Sequence, residues 1–205
     1  MNVLIVCTGN ICRSPMAEQL LTARLGGDDV RFSSAGTGAL VGEPMTREAA
    51  GLSARYGGDP AKHAARQLTE RVVLDADLVL TATRAHRAQV AELVPRAARR
   101  AFTLREFARV VDHLAAAGEL GAAPVGPPGP HAIDGIAGRL RRAADAAARF
   151  RGLAPPLSDP TDDDIPDPYR GSAARYDEAG RLIDAAVGSI VAALATAVSG
   201  GHRGP

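Results

Sequence analysis

Apolar residues open the chain in one unbroken block, Val3-Leu4-Ile5-Val6, the pattern of a strand buried on both faces. A glycine-bearing loop follows, then Ser14-Pro15. A serine cap with proline at the first helical position predicts a helix from Pro15 to Leu25, ended by Gly26-Gly27. The alternation continues with a strand over Val30–Gly36, a helix over Pro44–Tyr56, a strand over Ala76–Ala82 and a helix over Arg84–Leu93 stopped by Pro95. Arg100–Leu104 reads as a short fourth strand. Strands alternating with helices at this spacing imply an α/β fold, a parallel sheet covered on both faces. A last helix begins near Ser172. Its residues Ile183, Val187, Ile190, Val191, Leu194 and Val198 recur at three- and four-residue steps and lay one stripe against the sheet.

Between the fourth strand and the acidic stretch SDPTDDDIPDPYR the pattern changes. Gly121–Pro130 is too rich in glycine and proline for regular structure, and the Arg/Ala-rich piece Ile133–Phe150 reads as a helix. Connections inside compact domains rarely exceed about 12–15 residues, so the region from about 105 to 165 is expected to be an insertion. It sits in a single domain spanning 1–198, followed by a disordered tail over 199–205. There is no internal repeat.

Charge narrows the function classes. Lys and Arg number 24 against 23 Asp and Glu, a formal net charge of +1, which argues against a general nucleic-acid or membrane-surface binder. No basic, long apolar leader opens the sequence, and the longest uncharged run, Ala185–Val198, falls short of the ~20 residues that span a bilayer. Two cysteines make no disulfide framework, and no CxxC pair is present to hold zinc. The expectation is a cytoplasmic protein of a reducing compartment, with no metal and no cofactor.

Both cysteines lie in VCTGNICRSP, Val6 to Pro15. A loop from a strand to a helix N-terminus presents unpaired backbone N–H groups and the positive end of the helix dipole, which together suit an anion of phosphate size. Gly9 lets the backbone turn in close, Asn10 tolerates a positive φ, and Arg13 can grip two phosphate oxygens with its planar fork. The same positive surroundings favour a thiolate at Cys7, and the Ser14 hydroxyl could add a hydrogen bond to the sulfur. A nucleophile is thereby aimed at the phosphorus of an anion held by its own loop.

The stretch VCTGNICRSPMAE, Val6–Glu18, closely resembles the signature of the low-molecular-weight protein tyrosine phosphatases. The resemblance extends through SSAGTG (Ser33–Gly38), HAARQLT (His63–Thr69), ADLVLTA (Ala76–Ala82) and DPYRGS (Asp167–Ser172), and leaves the insertion unexplained. It implies a three-layer sandwich with a central four-stranded parallel sheet, order 2-1-3-4, flanked by helices. It also implies a phosphate-binding loop of Thr8, Gly9, Asn10, Ile11, Cys12, Arg13 and Ser14. By resemblance Cys7 is the nucleophile, Arg13 the phosphate-binding and transition-state arginine, and Ser14 the thiolate stabiliser. Asn10, assisted by Ser34, holds the left-handed turn. Leu40 and Tyr169 wall the substrate slot, and Cys12 guards Cys7 by a reversible disulfide.

A departing phenolate needs a proton donor, and five aspartates crowd Asp159 to Asp167, so spacing alone does not choose among them. The resemblance favours Asp167, where Pro168 stiffens the turn and Tyr169 and the final helix follow. Leu40 can pack against a ring but not stack on it, and Arg170 stands where many relatives carry a second aromatic. The expected partner is a phosphotyrosine-bearing protein, and the expected state a monomer or weak dimer. Ile11 goes with phosphotyrosine enzymes, whereas the protein-arginine phosphatase branch carries threonine there. Protein-arginine phosphatase, arsenate reductase and a phosphoprotein-binding module stay open as alternatives. His63, Arg66 and Gln67 match a family segment of structural character, and His86 and His113 show no partner in the sequence.

Overall fold

The computed structural model describes residues 1–120, 135–152, 154 and 157–199. Four strands form one parallel sheet in the order β2-β1-β3-β4: β1 (Asn2–Cys7), β2 (Arg31–Gly36), β3 (Leu78–Thr81) and β4 (Ala101–Thr103). Cys7 is in register with Gly36, and Val6 with Thr81, so the carboxyl ends of three strands meet at one rim of the sheet. In an open α/β sheet that rim is where ligands bind.

Seven helices surround the sheet among the described residues: α1 (Arg13–Leu25), α2 (Arg47–Arg55), α3 (Glu70–Leu74), α4 (Arg84–Leu93), α5 (Leu104–Ala116), α6 (Ile136–Phe150) and α7 (Ala173–Ser199). Alternate residues of β1 explain its unbroken apolar block. Val3 and Ile5 join a core with Leu20 of α1, Phe107 of α5, Leu140 of α6 and Ile183 of α7. Leu4 and Val6 point the other way, into a core with Val73 of α3 and Val90 of α4. All four strand side chains are buried. The fold is therefore the expected three-layer sandwich with the expected strand order. The α7 stripe is as expected at Ile183, Val187, Ile190 and Leu194, which are buried against the first core.

Several boundaries differ from the sequence expectation. The third strand is shorter at both ends, and the fourth stops at Thr103 because Leu104 opens α5. Residues 105–116, assigned from sequence to the inserted region, belong to this helix. It starts with a capping box: Thr103 Oγ1 accepts the Glu106 N–H at 3.0 Å, and the Glu106 carboxylate accepts the Thr103 N–H at 3.2 Å. Its buried Leu104, Phe107, Val110, Val111 and Leu114 face α7 and the sheet, so α5 is part of the core.

α6 begins at Ile136, and its end is docked onto β4 and α5. The Arg151 guanidinium lies 3.8 Å from the Phe102 ring centre and pairs with Glu106 at 2.9 Å, and it also donates to the Ala101 carbonyl. The irregular stretch expected over Gly121–Pro130, the expected helix start at Ile133 and the tail beyond Ser199 lie outside the described residues. Among the described residues no helix is long and apolar enough to cross a membrane.

The start of α1 differs in a way that matters for the site. The helix begins at Arg13, with Cys12 in the cap position and no side-chain cap bond. Ser14 is not the cap expected from its neighbour Pro15. Its hydroxyl is engaged inside the loop instead.

Candidate active site

The turn between β1 and α1, Thr8 to Cys12, sits at the rim where β1, β2 and β3 end. The loop after β2 runs along it, with Thr37 N–H donating to Cys7 O at 2.9 Å, Gly38 N–H to Thr8 O at 3.0 Å and Leu40 N–H to Gly9 O at 3.1 Å. That approach is possible because residue 36 is glycine. A Cβ there would stand 2.3 Å from the Thr8 carbonyl oxygen. The arrangement carries Leu40 to the edge of the turn, 42% exposed.

Asn10 shapes the turn. Its φ is 56°, in the left-handed region that asparagine tolerates better than most residues. Its side chain is fully buried and every polar atom of it is used. Nδ2 donates to Ser14 Oγ at 2.9 Å and to Ser34 Oγ at 2.7 Å, and Oδ1 accepts the Arg66 N–H at 2.9 Å. Ser34 Oγ in turn donates to Glu18 Oε2 at 2.5 Å. The Asn10 carbonyl accepts from His63 Nε2 at 2.6 Å, and Arg66 Nε donates to Ser34 O at 2.6 Å. The segment around His63 and Arg66 is thus the outer brace of the loop.

Ser14 links this brace to the sulfur. Its Oγ lies 2.9 Å from Cys7 Sγ and already accepts from Asn10 Nδ2. Once Cys7 is a thiolate, the contact has one direction: the Ser14 hydroxyl donates to sulfur. The first N–H of the turn to find a helical acceptor is that of Met16, to Cys12 O at 3.2 Å. The N–H groups of Arg13 and Ser14 precede it and remain for an anion, as at any helix N-terminus.

Arg13 is buried and held at two points. One terminal nitrogen donates to Ile165 O at 3.0 Å and the other pairs with Asp167 Oδ2 at 3.0 Å. Its Nε is buried with no acceptor among the described residues, a donor with capacity left for an oxyanion. Asp167 is half exposed, and its other oxygen accepts the Tyr169 N–H at 3.2 Å. Asp159 caps its own turn, Asp163 pairs with Arg109, and Asp164 accepts the Arg84 N–H at 2.7 Å. Of the acidic cluster, Asp167 is the member that reaches the arginine of the loop. The turn after it closes with Gly171 N–H on Pro168 O at 2.8 Å and Arg170 at φ 58°. Arg170 stacks its guanidinium 5.2 Å from the centre of the Tyr169 ring, which is itself 41% exposed.

Cys12 is a buried thiol, its Sγ 3.5 Å from Thr46 Oγ1 and 3.9 Å from the Tyr176 hydroxyl. Burial pushes its pKa up, against the lowering effect of those two hydroxyls. His86, left without a role by the sequence, is buried beside the turn with Nε2 2.9 Å from Thr8 Oγ1. No sequence signal joins two residues 78 positions apart. Among the described residues no three His, Cys, Asp or Glu side chains cluster as a metal site.

A family described as low molecular weight phosphotyrosine protein phosphatase matches residues 2–117. The low molecular weight protein-tyrosine-phosphatase Etp of Escherichia coli strain K12 is 44% identical over 94 residues, 46% of this chain and 62% of Etp, so the match spans less than two thirds of that relative. A low molecular weight protein tyrosine phosphatase from T. tengcongensis superposes with TM-score 0.62 at 27% identity, covering 94% of this chain and 98% of its own. The YwlE arginine phosphatase of Geobacillus stearothermophilus shares the fold, with TM-score 0.64 at 24% identity over 100% of this chain and 99% of its own.

Proposed function

We propose, from the premise that this chain belongs to the low molecular weight phosphotyrosine protein phosphatase family, that it is a phosphomonoester hydrolase acting on protein phosphotyrosine through a cysteinyl-phosphate on Cys7. The observation that carries the reading is the double anchoring of Arg13, on Ile165 O and on Asp167 Oδ2, each at 3.0 Å. It joins the loop that bears the sulfur to a carboxylate far along the chain. In this reading nucleophile, phosphate-binding cation and acid act on one phosphoryl group.

In the first step the Cys7 thiolate attacks phosphorus, an S–P bond forms, and the bond from phosphorus to the phenolic oxygen breaks. For this step the phosphoryl oxygens take the place of the Asp167 carboxylate on Arg13, and Asp167, released from that ion pair and protonated, delivers its proton to the phenolic oxygen. Arg13 and the N–H groups of the turn hold the three remaining oxygens as charge develops on them. In the second step water attacks phosphorus, its proton passes to the Asp167 carboxylate, and the S–P bond breaks to return the thiolate, which Ser14 stabilises. Leu40 and Tyr169 flank the entrance, and Arg170 beside Tyr169 favours substrates with acidic residues near the phosphotyrosine. Cys12 has the role of a redox guard for Cys7.

The test is leaving-group dependence. Asp167→Asn slows hydrolysis of phenyl phosphate by about 10²–10⁴, the usual contribution of a general acid, and that of an activated nitrophenyl ester much less. Equal slowing of both esters would remove Asp167 from the acid's role. Cys7→Ser abolishes turnover of either.

Protein-arginine phosphatase is the second reading, raised by the fold shared with YwlE. Ile11, buried where that branch carries threonine, favours phosphotyrosine. A panel of phosphotyrosine, phosphoserine and phosphoarginine peptides separates the two. Faster turnover of phosphoarginine would reverse the preference.

A further inference from the structure

His86 takes no part in the mechanism above, yet it is buried and both its ring nitrogens are engaged. Thr83, the cap of α4, lies 2.6 Å from Nδ1 through Oγ1, and the same oxygen accepts the His86 backbone N–H at 3.3 Å. Nε2 is 2.9 Å from the hydroxyl of Thr8, the residue that follows Cys7. A ring held at both ends cannot rotate, so α4 is tied through it to the first residue of the phosphate loop.

Counting protons leaves two directions for these bonds. A neutral imidazole has one donor and one acceptor nitrogen, so the two threonine hydroxyls must play opposite parts. Thr83 Oγ1 accepts from the backbone through one of its two lone pairs, and its proton is free to go to Nδ1. Thr8 is exposed at the mouth of a loop built for an anion, where a hydroxyl proton is useful and a bare lone pair repels. The neutral state is itself favoured, because burial and the nearby Arg13 cation both disfavour an imidazolium, against the weaker opposing pull of Asp167 and Asp164. Asp164 is also neutralised in part by Arg84 at 3.5 Å.

We propose that His86 is a positioning residue of the phosphate loop: held at Nδ1 by the Thr83 hydroxyl, it donates from Nε2 to Thr8 Oγ1 and so turns the Thr8 hydroxyl proton towards an oxygen of the bound phosphoryl group. The inference rests on the phosphatase reading for its meaning, and on the hydrogen-bond chain for its geometry. Two measurements keep these apart.

The first needs no turnover. Long-range proton–nitrogen NMR of the wild-type imidazole at pH 6–7 finds Nε2 protonated and Nδ1 bare. The opposite tautomer, or a doubly protonated ring, overturns the proposal. The second uses para-nitrophenyl phosphate as substrate and inorganic phosphate as competitor. Thr8→Val and His86→Phe each lower kcat/KM about tenfold and weaken phosphate inhibition to a similar degree. The double variant is no worse than either single one, because both break the same chain.

His86→Gln, whose side-chain N–H can reach Thr8, recovers most of the loss, which a merely space-filling role for the ring does not explain. Independent, multiplying effects of Thr8→Val and His86→Phe would overturn the proposal. If His86→Phe folds poorly, the Gln variant and the tautomer decide. A wild type inert towards the ester but with the expected tautomer and phosphate affinity would sink the phosphatase reading and leave the chain of hydrogen bonds standing.

Discussion

Burial beside Arg13 pushes the His86 imidazole down to about 4 from an ordinary 6.5, so the folded protein holds it neutral where the unfolded chain would protonate it. The sign of the linkage follows. Between pH 6.5 and about 4 the unfolded state binds the extra proton, and stability falls as pH falls. The full loss is about 3 kcal/mol at roughly 1.4 kcal/mol per unit. Denaturant unfolding of wild type and His86→Gln across this range isolates the effect from that of the carboxylates. Wild type loses about 3 kcal/mol relative to His86→Gln between pH 6.5 and about 4, with no further change below that, and a constant difference would contradict it. Asn10 is the other residue whose surroundings set a magnitude. Asn10→Ala strips partners from Ser14, Ser34 and the Arg66 N–H and puts an alanine at φ 56°. With about 1–3 kcal/mol for a buried unsatisfied group, the variant loses at least about 2 kcal/mol in urea unfolding and most of its activity.

At the scale of elements, α5 and α6 are joined by one carboxylate. Glu106 is buried, completes the capping box of α5, and receives Arg87 and Arg151, each at 2.9 Å. Desolvation lowers the pKa of Arg151, with Glu106 pulling it back up. Glu106→Ala leaves two guanidinium groups without their anion. Breaking a buried pair costs about 3–5 kcal/mol, and because the two arginines keep about a third of their surface the expected loss is about 2–3 kcal/mol. Thr103→Ala removes the hydroxyl of the capping box together with a buried methyl and costs about 1–2 kcal/mol. Thermal or urea unfolding of the two variants ranks them, and a larger loss for Thr103→Ala would show that the cap outweighs the ion pairs.

The periodicity of α5 was present in the sequence, in Leu104, Phe107, Val110, Val111 and Leu114. It was hidden by the long connection that follows, which suggested that everything beyond the fourth strand was added. α1 shows the opposite case. Ser14-Pro15 has the composition of a helix start, but the loop competes for the serine hydroxyl and the helix begins two residues earlier than expected, at Arg13.

Over the whole molecule, the site is a meeting of separate segments: the turn after β1, the brace from Ser34 to Arg66, and the acidic stretch before α7. A ligand that bridges them stabilises the folded chain by mass action. Inorganic phosphate at a hundred times its dissociation constant adds about 2.7 kcal/mol and raises Tm accordingly. Arg13→Ala loses this shift. A shift that survives in Arg13→Ala would mean that phosphate binds somewhere other than the loop.

The chain's local order is written in its residues. Strand and helix periods, the glycine and asparagine of the turn, and the close run from Cys7 to Ser14 act over a few positions, where φ preferences and short-range donors decide the outcome. The parallel three-layer fold and the phosphate-sized cradle follow from those alone, with the resemblance supplying the strand order. What required tertiary structure was every choice between chemically equal candidates far apart in the chain. Five aspartates carry the same carboxyl group; the resemblance favoured Asp167, and the fold brings that one to Arg13. Two histidines had no visible partner, and His86 acquired Thr8 and Thr83 once α4 was packed on β3 and β4, next to the end of β1. Side-chain identity is local, but which groups share a desolvated space depends on how the layers close, and pattern along the chain carries no record of that.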